Sequence, residues 1–195
     1  MNRKRLLITG FDPFGGQSIN PAWEAVKRLP ERIGVFEVHK LEIPTVFGLA
    51  AQKVLEEAER CRPDVIVCIG QAGGRTDVTP ERVGINLRDA RIGDNAGNQP
   101  QEEPIVDGGP DAYFSTLPVK RMAQAIQAAG HPSSVSNSAG TFVCNDVLYS
   151  LLHHYAGSDV KVGFIHVPFL PEQGAPNLPL EQTAAALEAA IRSIL

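Results

Sequence analysis

Cysteine, methionine and tryptophan are scarce in this sequence, whose 195 residues include only three, two and one of them, respectively. The three cysteines, Cys61, Cys68 and Cys144, are odd in number and irregular in spacing, which is not a disulfide framework. No CxxC pair and no HExxH segment occurs, so a structural or catalytic metal is not expected. This pattern is typical of an intracellular protein, and we expect a cytoplasmic one.

Long apolar runs and basic tracts are also missing. No stretch approaches the roughly 20 apolar residues of a membrane span. The apolar run after the basic residues near the start is too short for a signal peptide. The formal net charge is −4, with 18 Lys and Arg against 22 Asp and Glu. A mildly acidic chain is poorly suited to bind phosphate backbones. We therefore expect neither a membrane nor a nucleic acid as a partner.

Apolar, β-branched runs alternate with helical patterns along the chain. The runs at 6–9, 35–43, 65–69 and 160–167 predict strands. Helices are predicted after Asn20-Pro21, from a Thr45 cap to about Cys61, over 119–129, after Gly140 and over 180–194. Short strands separated by helices predict an α/β fold with a central sheet covered on both faces. The length suits a single domain over residues 1–195.

The segment from Gly70 to Gly109 is the least regular part of the sequence, with one short strand expected over 82–87. An extended stretch is also expected over 134–138. Sites in open α/β sheets lie at the strand ends that feed the helices. Three segments fit that description: Gly10–Gly16, Gly70–Arg75 and the stretch ahead of Cys144.

Cys144 is the candidate nucleophile because the apolar pattern after it predicts that it lies at or near a helix N-terminus. There, unpaired N–H groups and the helix dipole stabilise a thiolate and could hold an oxyanion. The alternative is a buried cysteine that acts as a small apolar side chain, which is the common case. Cys68 lies inside an apolar strand and Cys61 at a helix end, so both are interpreted as structural.

His166 ends a predicted strand, from which its imidazole could reach a neighbouring loop as a general base. The alternative is a half-buried histidine bonded to backbone. Glu81 lies in the irregular region and could orient such an imidazole. On composition alone, three aspartates are equally available for that role: Asp12, Asp89 and Asp94.

Several catalytic and nucleotide-binding motifs are absent. The glycine-rich segments match neither GxxxxGK[ST] nor GxGxxG after a strand, and no GxSxG occurs. These absences disfavour a P-loop, a dinucleotide site and a serine hydrolase.

Five segments resemble those of the pyroglutamyl peptidase I family: ITGFDPFGG, GQAGGRTDVTPERVGINL, RIGDNAGNQP, VSNSAGTFVCN and FIHVPFLPEQ. They occur in the family's order and extend over nearly the whole chain. The resemblance implies a cysteine peptidase that removes an N-terminal pyroglutamyl residue from peptides without a metal or organic cofactor. It also implies a single α/β domain with a twisted, mixed central sheet, assembled as a homotetramer.

The resemblance further implies a catalytic triad of Glu81, Cys144 and His166. Arg91 would lie near the oxyanion, and the remaining substrate-binding positions would be Phe11, Phe14, Gln71, Phe142 and Val143. The sequence departs from the family pattern at three positions: Gly84, Gly93 and Asp146. Gly93 would loosen the Arg91 segment, and Asp146 would raise the pKa of Cys144 if it faced the thiolate.

Two alternatives remain open. A nucleoside-phosphorylase-like transferase also builds α/β domains with glycine-rich strand ends. A non-catalytic module that binds small molecules would keep the scaffold without turnover.

Overall fold

The computed structural model describes residues 3–195, and the apolar runs of the sequence form its central strands. The strands are β1 (Lys4–Phe11), β2 (Arg32–Ile33), β3 (Phe36–Ile43), β4 (Val65–Gln71), β5 (Thr79–Pro80), β6 (Val83–Ile85), β7 (Ala112–Phe114) and β8 (Lys161–Val167). The helices are α1 (Pro21–Arg28), α2 (Leu49–Cys61), α3 (Val119–Ala128), α4 (Val143–His154) and α5 (Leu180–Arg192).

Six strands form one mixed sheet in the order β2-β3-β1-β4-β8-β5, and β6 and β7 form a separate hairpin. The four inner strands are parallel, whereas β2 and β5 pair antiparallel at the edges. The predicted α/β fold with a mixed central sheet is confirmed. None of the helices within residues 3–195 is long and apolar enough to cross a membrane.

Helices cover both faces of the sheet, since alternate residues of each inner strand project to opposite sides. On one face, Val65, Val67 and Ile69 pack with residues of α1, α3 and α5. On the other face, Ile66, Cys68 and residues of β8 pack with α2 and α4. Cys68 and Cys61 are buried in this second core, as the sequence predicted.

The sheet has a topological switch point between β1 and β4, because the chain leaves β1 toward β3 on one side and returns to β4 on the other. The ladder between β1 and β4 ends at the pair Gly10–Ile69. Beyond it, the Asp12 N–H donates to the Ile43 carbonyl, 2.9 Å away, so the chain follows β3. The two strand ends therefore diverge, and open α/β sheets bind ligands in such crevices.

Two helix starts tested the capping predictions. Asn20 caps α1, accepting a 3.0 Å hydrogen bond from the Ala22 N–H, with Pro21 at the first helical position, as predicted. The prediction that Thr45 caps α2 was wrong, because α2 begins at Leu49 with Gly48 at the N-cap. The Thr45 hydroxyl instead donates to Asp12 Oδ1 at 2.8 Å, so a carboxylate after β1 is its partner.

The irregular region forms different strands from the one expected, since β5 was not predicted. The strand predicted over 82–87 is reduced to β6, which pairs with β7, a three-residue strand that was not predicted. The segment expected to be extended over 134–138 contributes one isolated bridge, between Ser136 and Glu81, and Ser133 just before it bridges Val78. For the site, the important point is that the 134–138 segment lies beside Glu81.

Gly10 allows α1 to touch the sheet. A Cβ atom there would lie 2.6 Å from the backbone Cα of Trp23, which cannot move without the helix. We expect Gly10→Ala to lower the free energy of unfolding by about 1–3 kcal/mol, the usual cost of overpacking. Urea unfolding at neutral pH measures the change.

Gly93→Ala is the matched control. A Cβ atom at Gly93 meets nothing closer than 3.6 Å, and Gly93 is not among the glycines with a positive φ. This variant should be neutral or more stable by up to ~1 kcal/mol, because alanine restricts the unfolded chain. Equal destabilisation of the two variants would contradict the close contact at Gly10.

Candidate active site

Cys144 is the second residue of α4, as the sequence predicted. Phe142 at the N-cap offers no side-chain acceptor. The first backbone bond of the helix runs from the Asp146 N–H to the Phe142 carbonyl, 3.2 Å away. The N–H groups of Val143, Cys144 and Asn145 therefore have no acceptor within the helix. Such a set of donors around a thiol can bind a developing oxyanion.

The thiol of Cys144 occupies space that a side chain at Gly70 would fill. A Cβ atom on Gly70 would lie 2.8 Å from Cys144 Sγ and 2.7 Å from a ring carbon of Phe164. Gly70 is paired in register with His166 on the adjacent parallel strand. Paired residues of parallel strands project to the same face of the sheet. The imidazole of His166 therefore lies on the face that carries Sγ, one strand away.

Glu81 is the carboxylate partner of His166. His166 Nδ1 lies 2.7 Å from Glu81 Oε1, and both side chains are buried. The backbone N–H of Glu81 donates to the Phe164 carbonyl at 2.9 Å, which fixes the glutamate beside β8. A carboxylate on Nδ1 leaves Nε2 as the ring atom available for proton transfer.

The three aspartates that were equally available by composition have other surroundings. Asp12 accepts from the N–H and hydroxyl of Thr45. Asp94 accepts from the backbone of Phe47 and from its own loop. Asp89 is exposed. Of the four candidates, the structure brings only Glu81 to His166.

Arg75 was not predicted as part of the site. Its Nη1 lies 2.6 Å from Glu81 Oε1 and 2.6 Å from Thr79 Oγ1, and its Nη2 donates to the Ser138 carbonyl at 3.1 Å. The sequence signal was its place in the Gly70–Arg75 segment at the end of β4. No local pattern indicates which carboxylate, six residues away along the chain, it would bind.

Burial and hydrogen bonding set the charges of the site. Burial favours the neutral form of Glu81, but the hydrogen bonds with His166 and Arg75 outweigh it, so the pKa of Glu81 lies below its usual value. Burial, reinforced by the Glu81 carboxylate, raises the pKa of Cys144 to about 12. Both effects favour the neutral thiol over the thiolate, and the proton must leave before the sulfur can form a bond to carbon.

Aromatic side chains gather beside the start of α4. The ring centroids of Phe14 and Phe142 are 6.1 Å apart, and those of Phe47 and Phe142 are 5.2 Å apart in an edge-on arrangement. Phe11 is buried under this edge of the sheet, against Phe164. Phe47 was not predicted as a site residue. The Val143 side chain is fully buried in the core, so its backbone N–H is the part near the thiol.

Gln71 lies at the switch point, one residue beyond Gly70, and its side chain therefore starts on the opposite face from Cys144. There, Gln71 Oε1 accepts a 2.9 Å hydrogen bond from Gln173 Nε2. The β1–β4 ladder stops at Ile69, so the Gln71 backbone extends past its end and faces the crevice. Gln173 was also missed by the sequence analysis.

Arg91 is exposed, and within residues 3–195 no hydrogen bond joins it to Glu81, Cys144 or His166. Its segment is nevertheless fixed to the approach of α4. The Asp89 N–H donates to the Thr141 carbonyl at 3.0 Å, and the Thr141 hydroxyl donates to the Asp89 carbonyl at 2.7 Å.

Asp146 does not act on the thiolate. Its Oδ1 lies 2.6 Å from both Nε and Nη2 of Arg88, and its Oδ2 accepts from the Gly48 N–H at 2.8 Å. The carboxylate thus joins α4 to the start of α2.

Steric crowding explains why glycine stands at position 84. A Cβ atom there would lie 3.1 Å from Leu148 and the backbone of Tyr149 on α4.

A nucleophile, a paired base and unbonded helix N–H groups form an arrangement suited to acyl transfer through a thioester. Among residues 3–195, no three His, Cys, Asp or Glu side chains group closely enough to hold a metal ion. The chemistry that these residues can carry out is thiol chemistry.

Comparison with known proteins agrees with this geometry. The family model described as "Pyroglutamyl peptidase" matches residues 4–195. A pyrrolidone-carboxylate peptidase of Levilactobacillus brevis is 56% identical over 98% of this chain and 97% of its own. Pyroglutamyl peptidase I of Bacillus amyloliquefaciens superposes with a TM-score of 0.95 at 46% identity, covering 98% and 97% of the two chains.

A more distant solved structure, the pyrrolidone carboxyl peptidase of Thermococcus litoralis, has a TM-score of 0.93 at 36% identity and covers 98% of this chain and 93% of its own. The fold thus agrees with these relatives over almost the full length. The chain belongs to the pyroglutamyl peptidase family.

Proposed function

We propose that this protein is a cysteine peptidase that hydrolyses the bond after an N-terminal pyroglutamyl residue and releases pyroglutamate. One arrangement carries the proposal. Cys144 Sγ lies against Gly70, and on the adjacent strand His166 Nδ1 is hydrogen-bonded to the buried Glu81. The family relationship supports the substrate class. The relatives are peptidases, which does not support the transferase or the binding module.

In the proposed reaction, Cys144 is the nucleophile and His166 the general base. The raised pKa of Cys144 favours proton transfer to His166 as the sulfur attacks, rather than a resting ion pair. The N–H groups at the start of α4 stabilise the oxyanion. His166 then protonates the leaving amine, and water hydrolyses the thioester. Arg91 adds positive charge beside the oxyanion if its segment closes on substrate.

The crevice between β1 and β4 suits a compact, uncharged ring. The apolar walls come from Phe11, Phe14 and Phe142, with Phe47 behind Phe142. A pyroglutamyl lactam has one N–H and one C=O, which the Gln71 backbone past the end of the ladder can pair. Since the ring has no α-ammonium group, the pocket needs no carboxylate to neutralise one.

We further propose that residues 1–195 act as one catalytic domain and that the protein is a cytoplasmic homotetramer. Family resemblance motivates the single domain and the homotetramer, and the few, irregularly spaced cysteines motivate the cytoplasmic location. Light scattering coupled to size-exclusion chromatography, and fractionation of cells, would test assembly and location separately.

Loss of Cys144 should abolish turnover. We expect Cys144→Ala to be folded but inactive on a pyroglutamyl-arylamide assayed with reductant, and His166→Ala to be nearly as damaging, because the two act as a unit. Glu81→Gln should cost less, since an amide oxygen can still orient the imidazole. Cys61 and Cys68 lie in the hydrophobic core, so Cys61→Ala and Cys68→Ala are matched controls that should remain active. Substantial activity in Cys144→Ala would refute the thiol mechanism.

Gly70 should tolerate no side chain. Because an added Cβ atom would displace Cys144 Sγ or the Phe164 ring, we expect Gly70→Ala to lower kcat/KM at least ~100-fold, about 2.7 kcal/mol of transition-state stabilisation. Thermal unfolding, followed in parallel, separates misfolding from displacement of the thiol. A folded Gly70→Ala enzyme with wild-type kcat/KM would show that the close approach is not needed.

Discrimination against proline should be strong. A prolyl ring lacks the lactam carbonyl and carries a cationic nitrogen, so it leaves a buried hydrogen bond unmade, at about 1–3 kcal/mol, and adds an unpaired charge. Each ~1.4 kcal/mol is tenfold in rate, so pyroglutamyl-arylamide should exceed prolyl-arylamide in kcat/KM by about a thousandfold or more. Glutamyl-arylamide should also fail. Similar values for the first two substrates would contradict this pocket.

A further inference from the structure

Arg75 contacts the same carboxylate oxygen as His166. Glu81 Oε1 lies 2.7 Å from His166 Nδ1 and 2.6 Å from Arg75 Nη1. The second oxygen, Oε2, is buried and has no hydrogen-bond partner. Two cationic or potentially cationic groups therefore share one oxygen of a fully buried carboxylate. Neither group can strengthen its contact with Oε1 without affecting the other.

The guanidinium of Arg75 is held from three directions. Besides Glu81, it bonds Thr79 Oγ1 on β5 and the Ser138 carbonyl in the segment that leads to α4. Thr79 is the register partner of His166 on β8. Arg75 is about one-third exposed, at a cavity that Thr76, Ser134 and Ser136 also line. The cation is thus fixed beside the triad but outside the substrate crevice.

We propose that Arg75 is a positioning residue that holds Glu81 and limits how strongly this carboxylate stabilises protonated His166. The inference rests on the proposed function of His166 as a base. A lone buried glutamate would favour the imidazolium, which cannot accept the thiol proton. A second positive charge on the same oxygen offsets that effect.

The other groups around His166 carry no charge that could offset the Glu81 carboxylate. Gly70 on β4 has no side chain, Thr79 on β5 is neutral, and Phe164 packs on the ring. Cys144 on α4 is a neutral thiol, since burial raises its pKa to about 12. Burial does the same to Cys68, the next titratable group on that face. Glu81 and Arg75 are therefore the charged pair that acts on His166.

The experiment compares Arg75→Gln and Arg75→Lys with Arg60→Gln. Arg60 is exposed on α2, and within residues 3–195 its one ion pair is with Glu57, so its loss changes the net charge equally without touching the site. Two quantities are measured: the pH profile of kcat/KM on a pyroglutamyl-arylamide, and the chemical-shift titration of the His166 ring in the substrate-free protein. His166→Gln identifies that ring signal among those of the five histidines.

We expect Arg75→Gln to move the acidic limb of the profile and the midpoint of the His166 ring titration upward by about one pH unit. Arg75→Lys keeps the charge and should show a smaller shift. Arg60→Gln should match the wild type. If Arg75→Gln lowers kcat/KM equally at every pH and leaves the ring midpoint unchanged, Arg75 only packs its loop and the inference is wrong.

Arg75→Ala provides a second route if the glutamine variant does not fold. Its truncated side chain should admit added guanidinium from the adjoining cavity. Millimolar guanidinium should return the ring midpoint toward the wild-type value, whereas sodium chloride at equal ionic strength should not. Absence of any shift in Arg75→Ala would overturn the inference. Because the ring titration needs no substrate, failure of the proposed peptidase activity would be recognised separately.

Discussion

The approach of α4 to the sheet at Gly70 is the constraint on which the rest of the site depends. Because Gly70 has no side chain, the Cys144 thiol can lie directly against β4, next to the strand that carries His166. The same contact places the helix start, whose first N–H groups have no acceptor within the helix, beside the end of β4. A fold that kept every other element but placed a methyl group at this point would separate nucleophile from base.

A buried carboxylate is the second requirement, and it is costly unless its charge is compensated. Glu81 is compensated on one oxygen by His166 and Arg75, which come from β8 and from the loop after β4. Asp146 follows the same rule two residues after the nucleophile, where Arg88 and the Gly48 N–H engage both of its oxygens. Each of the two buried carboxylates therefore connects separate parts of the fold, and of the two, Glu81 is the one that contacts the His166 imidazole.

Prediction from the sequence succeeded where the signal is local. Asn20-Pro21 carries its own capping chemistry, and the apolar runs of the inner strands need no partner to be recognised. Thr45 failed as a cap because a distant carboxylate, Asp12, competed for its hydroxyl. The sequence did not predict β7, because a strand of three residues is defined only by its pairing with β6. Gln173 and Phe47 gave no signal, since their roles arise from contacts across the fold.

The sequence by itself determined the α/β order of elements, the place of Cys144 near a helix start and the family to which its motifs point. Periodicity, caps and contiguous motifs are properties of neighbouring residues. The resemblance implied Glu81 as the carboxylate of the triad, but only the tertiary structure showed its contact with His166, that Arg75 shares its oxygen, and that Gly70 makes room for the thiol. These contacts join residues far apart along the chain, and their distances follow from strand register and helix packing, which no local pattern encodes.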